Sequence, residues 1–127
     1  MSYQALVVLA LGAGLCGAPE TPARQLTTSE LKSLFVGHYL KRGELVAPYP
    51  TLDFSEHFRE NGEYLLIDHG SSDTGTYDIR NDAVCLKLYK TAEACRHVFK
   101  DDKGRIWIRD PRTSEKPILI NLFKEAQ

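Results

Sequence analysis

The spacing of apolar residues changes twice along the chain, and each change predicts a different element. Ala5 to Leu15 is an unbroken run of eleven apolar or small residues. Leu31, Leu34 and Phe35 then recur at i, i+3 and i+4, the stripe of a short helix. Thr28 or Ser29 is positioned to cap that helix, Glu30 falls in its first turn, and Gly37 can end it. Beyond Gly37 the period drops to two. Phe54 and Phe58, Tyr64 and Leu66, Val84, Leu86 and Leu88, and Ile106 and Ile108 each mark one face of a strand.

Turn residues separate these runs. Asn61-Gly62 predicts a type I′ hairpin with positive φ at both residues. "HYLKRG", "TYDIR", "AVCLKLY", "ACRHVFK" and "RIWIRD" predict strands, and "ILINLF" a final strand or short helix. "GSSDTG" and "PRTSEKP" read as polar loops, "VAPYPTLD" as an edge or loop, and "PETPAR" as a linker-like start. The expected fold is mainly β: a small antiparallel meander, as a barrel, half-barrel or sandwich, preceded by a short N-terminal helix.

The leading apolar run is too short to span a bilayer, which takes about 20 residues. It fits the core of a secretory signal peptide over residues 1–23, with cleavage after Ala18 or Ala23, although "MSYQ" supplies no Lys or Arg. Residues 24–127 then form a single small β domain, periplasmic or secreted, with no stable membrane span. Leu15 before Cys16 is too large for an ordinary lipoprotein site. Charge is nearly balanced, with 16 Lys plus Arg against 17 Asp plus Glu, which argues against a general nucleic-acid binder or a polybasic membrane module.

Removing the leader leaves two cysteines, Cys85 and Cys95, and an even count in an exported chain reads as a disulfide. Pairing "AVCLKLY" with "ACRHVFK" so that Cys85 faces Cys95 sets Leu86 against Ala94 and Val84 against Arg96. Opposed Cβ atoms in such a ladder lie close enough for a cross-strand bond. A metal reading remains beside it, since Cys95 and His97 share a strand face and Cys85 would join them. No metal or cofactor is expected.

The polar faces of the same strands carry Lys87, Tyr89, His97, Arg105, Trp107 and Arg109. If the strands adjoin, these form a cationic, stacking surface suited to an anionic or sugar-like ligand or an envelope partner. The bland reading is a solvated face of snorkelling Lys and Arg. Hydrolase signals are weak. Asp68, His69 and Ser71 or Ser72 are close in sequence, but a triad is assembled from distant segments and no G-x-S-x-G turn occurs. The "DTG" at Asp73 occurs once, where an aspartic protease needs two.

Taken in order, "LTTSELKSLFVGHYL", "FRENGEYLL", "GTYDIRNDAVCLKLY" and "CRHVFKDDKGRIWI" resemble a group of small exported proteobacterial proteins known only as a domain of unknown function. The resemblance covers about Leu26 to Ile108. It implies export, a compact β fold and a paired Cys85 and Cys95, and it implies no reaction. The functional expectation is a monomeric, non-enzymatic exported β domain that binds an unknown small molecule or envelope protein. The alternatives are a small secreted hydrolase or metal-binding protein, or a secreted enzyme inhibitor.

Overall fold

The computed structural model describes residues 23–42, 54–109 and 116–126. The predicted signal segment up to residue 22, with Cys16, all of "VAPYPTLD" and most of "PRTSEKP" lie outside the described residues. Strand β1 is Ala23–Gln25, helix α1 Thr28–Phe35, and β2 His38–Arg42. β3 is Phe54–Phe58, β4 Glu63–Asp68, β5 Ser71–Arg80, and β6 Ala83–Leu88. β7 is Ala94–Asp101, β8 Ile106–Arg109, and β9 Ile118–Lys124.

All strand pairings are antiparallel. The sheet runs β7-β6-β5-β4-β3-β2-β9-β8, and a β7–β8 pairing closes it into an eight-stranded barrel. Closure joins edges that an open meander would leave exposed. β1 lies outside the ring and pairs with Phe99–Asp101 of β7.

Period-two alternation fills the interior with Leu40, Phe58, Tyr64, Ile79, Val84, Leu86, Val98, Ile108 and Ile120. Leu31 and Phe35 of α1 are fully buried in the same cluster, and the Phe35 ring meets Phe58 edge-on at 5.1 Å. A helix reaches the inside of a closed wall only through an open end, so α1 stoppers one mouth.

The stopper is anchored at its N-terminus. Thr27, one residue earlier than expected, is the N-cap, and its side chain and that of Glu30 form a reciprocal capping box. Asp82 Oδ1 also accepts from the Thr28 backbone N–H at 2.7 Å, and the Asp82 N–H donates to Thr28 Oγ1 at 2.7 Å. Asp82 thus ties the helix start to the β5–β6 turn. A carboxylate also suits the positive end of the helix dipole.

Three local expectations are corrected and one is resolved. The hairpin at Asn61-Gly62 is not type I′: only Gly62 has positive φ (92°), and Arg59 pairs with Glu63 around it. The type I′ signature, positive φ at both residues, falls instead on two other turns, His69 (51°) with Gly70 (89°) and Asn81 (52°) with Asp82 (59°). "GSSDTG" is not a loop, because Ser71 to Gly75 opens β5, and the turn before it is His69-Gly70. Ala23 and Arg24 belong to a paired strand rather than a linker. "ILINLF" resolves as strand β9.

Candidate functional site

The predicted hairpin register holds residue for residue: Val84 faces Arg96, Cys85 faces Cys95, and Leu86 faces Ala94. Cys85 and Cys95 are joined at 2.09 Å. The bond lies on the outer face of the wall, opposite in parity to inward-facing Val84 and Leu86. It consumes both sulfurs that the metal reading requires. His97, two residues on, is exposed and pairs in register with Arg109.

The six predicted ligand-face residues fall into separate groups. Arg105, Trp107 and Arg109 line a groove of about 440 Å3 together with Phe99 and Asp101, with Ala23 and Pro117 at its rim. Lys87 and Tyr89 line a different surface, an open trough beside the start of β5. His97 borders neither. The division follows from the disulfide: Lys87 lies two residues beyond Cys85 toward one end of the hairpin, and His97 lies two beyond Cys95 toward the other.

The Trp107 groove is held by one carboxylate. Asp101 Oδ1 accepts from the backbone N–H groups of Lys103 and Arg105, each at 2.9 Å, which fixes the β7–β8 turn. Asp101 Oδ2 accepts from Arg105 Nε at 2.8 Å and Trp107 Nε1 at 3.0 Å. Burial opposes ionisation of Asp101, but these hydrogen bonds outweigh it and hold the carboxyl well below the usual carboxylate range. Register sets Trp107 opposite Phe99, and the Arg105 and Arg109 guanidinium carbons stand 5.5 Å and 6.0 Å from the Trp107 and Phe99 rings respectively. Arg109 has no carboxylate partner among the described residues. The result is an aromatic floor with one engaged and one available cation.

A second carboxylate cluster lies inside the barrel. Glu56 is fully buried on the inward face of β3, between Phe54 and Phe58. Its Oε1 accepts from the Tyr64 hydroxyl at 2.6 Å and from Arg96 Nη1 at 2.7 Å, and Arg42 Nη2 approaches Oε2 at 3.6 Å. Burial and the Glu56 charge push the Tyr64 hydroxyl far above its ordinary pKa, so it stays a donor. Oε2 makes no hydrogen bond among the described residues.

A third arrangement is on the outer face of β3. Ser55 Oγ lies 2.9 Å from His57 Nε2, and His57 Nδ1 meets Glu125 Oε2. The order hydroxyl, imidazole, carboxylate is that of a nucleophile, base and orienting acid. Tyr39 stacks on the imidazole at 5.0 Å. Ser55 is only 8 % exposed. Sequence reading placed hydrolase candidates elsewhere, at Asp68, His69 and Asp73. His69 does bond Asp68 at 2.5 Å, but both sit on an exposed hairpin tip. Among the described residues, no helix is long and apolar enough to cross a membrane. In comparison with known proteins, no family model, curated protein or solved structure matches this chain.

Proposed function

We propose that this is an exported, non-enzymatic β-barrel that binds a ring-bearing anion in the groove over Trp107. The carrying observation is the Asp101-anchored floor: Trp107 and Phe99 side by side, with the Arg109 guanidinium at the edge and no carboxylate paired to it among the described residues. Such a floor stacks a planar or sugar ring while the cation meets its charge. Export is supported by the apolar leader and by the Cys85–Cys95 bond, which persists in oxidising compartments. Cleavage after Ala23 would take one residue from β1, whereas cleavage after Ala18 keeps the strand whole but sets an unfavourable Pro19 at the first mature position.

Trp107 is the only tryptophan in the chain, so its fluorescence reports on the groove directly. Titration with sugar phosphates and aromatic carboxylates is expected to give saturable quenching that Arg109→Ala weakens. No saturable response to any of them would overturn the reading.

A second reading, hydrolysis, is favoured by the Ser55–His57–Glu125 order alone. A fluorophosphonate probe followed by peptide mapping tests it: covalent labelling of Ser55, lost in His57→Ala, supports it, and an unlabelled Ser55 removes it.

A further inference from the structure

β5 is ten residues long and its neighbour β6 only six, and the mismatch leaves part of a strand without a partner on one side. β5 pairs with β4 from Ser71 to Thr76, but its pairing with β6 begins only at Gly75. Gly75 marks that crossover: a Cβ there would lie 2.1 Å from the Lys87 carbonyl oxygen. β6 then leaves the sheet. Thr91 N–H bonds back to Leu88 O at 3.1 Å, and Lys90 takes a φ of 66°.

The direction of the stranded backbone groups follows from one bond. Tyr77 N–H donates to Gly62 O, on the β4 side. Both ladders keep constant register, so odd-numbered residues of β5 direct their backbone groups to β4. Alternation turns the N–H and C=O of Ser72 and Thr74 to the opposite side, where β6 would have continued. Among the described residues nothing pairs with them. In their place is an open trough of about 960 Å3, bordered by Thr74, Lys87, Tyr89 and Lys90. Tyr89 is 78 % exposed, the one exposed large apolar side chain among the described residues.

We propose that this vacated slot accepts an extended peptide segment of a partner protein. The peptide pairs as an added strand beside Ser72 and Thr74 and covers Tyr89 with an apolar side chain. Its backbone supplies what the edge lacks, alternating donors and acceptors at strand spacing. A four-residue segment spans about 13 Å when extended. A peptide fits better than a second barrel. The open edge is only four residues long, Ser71 to Thr74, before β6 takes up the pairing, a length that suits a short extended segment rather than the edge of a folded sheet. This site is distinct from the Trp107 groove, so either can fail alone.

The test selects short linear peptides from a displayed library on the disulfide-bonded chain and reads amide hydrogen exchange. Bound peptide is expected to slow exchange at Ser72 and Thr74. Thr74→Pro removes a donor on the open side while sparing the β4 ladder, and it is expected to weaken binding about tenfold, the scale of one backbone hydrogen bond. If Thr74→Pro fails to fold, amide protection in the unaltered chain decides by itself. The proposal is overturned if no peptide is selected, if protection falls elsewhere, if Thr74→Pro binds as well as the parent, or if the same amides are protected by self-association.

Discussion

Two carboxylates in this barrel hold the same kinds of partner and do different work. Inside, Glu56 grips an arginine and a tyrosine hydroxyl; outside, Asp101 grips an arginine and a tryptophan N–H. Asp101 also takes two backbone N–H groups, so both oxygens of this buried carboxylate are occupied, and its Arg105 partner is half exposed. Glu56 has left water entirely, and one of its oxygens has no hydrogen bond among the described residues. A buried ion pair with an unsatisfied oxygen gains little net stability over an apolar core, but removing one partner is costly. The interior cluster therefore specifies how β3, β4 and β7 meet. The exterior cluster positions a ring at low cost and leaves it accessible.

The sharpest way to break this comparison is Glu56→Ala. It removes the carboxylate that holds the buried Arg96 guanidinium and the Tyr64 hydroxyl, and is expected to cost about 3–5 kcal/mol in urea unfolding. A loss below about 1 kcal/mol would show that the cluster is not the interior constraint described. Next in size is the staple beside it. Replacing Cys85 and Cys95 together by serine is expected to cost about 2–3 kcal/mol, since the bond closes a short loop. The Trp107 emission should be almost unmoved, because the disulfide lies outside the groove.

Asp101→Ala should do the reverse. It removes the anchor of the Trp107 ring and is expected to shift emission to the red and raise acrylamide quenching, with a smaller loss of stability than Glu56→Ala. Equal quenching in parent and variant would show that the ring is held by packing alone. The smallest effect concerns Glu30. Its hydrogen bond with Arg24, aided by the Thr27 backbone N–H, lowers its pKa to about 2. A carboxyl depressed on folding adds stability above its unfolded pKa and loses it as pH falls through the folded value. The Glu30→Gln variant should therefore differ from the parent near neutrality and converge with it as pH drops from about 4.5 to about 2, read by thermal unfolding.

The strand register of the β6–β7 hairpin was legible because two cysteines and alternating apolar residues agree on it. Glu56 was legible in principle. It occupies the middle of the inward row Phe54, Glu56, Phe58, and a charge on an apolar face asks for a partner. That the partner is Arg96, 40 residues away on another strand, required closure of the barrel. "GSSDTG" was misread because its side chains are small and polar; backbone pairing to β4, not burial, makes it a strand. The predicted ligand face divided because strand parity places residues on a face but not along it. His57 and Glu125 are 68 residues apart, and no local pattern joins them.

The tie between Asp82 and Thr28 has a consequence in time. It spans 54 residues of chain, and it can form only after the β5–β6 turn that presents Asp82 has closed. Closing that 54-residue loop is expected to come after the local hairpins have formed, which makes the seating of α1 a later step than the β5–β6 turn. Contacts absent from the transition state govern escape from the native state more than arrival at it. Asp82 accordingly acts as a latch: losing it should leave the refolding rate nearly unchanged and shorten the lifetime of the closed barrel.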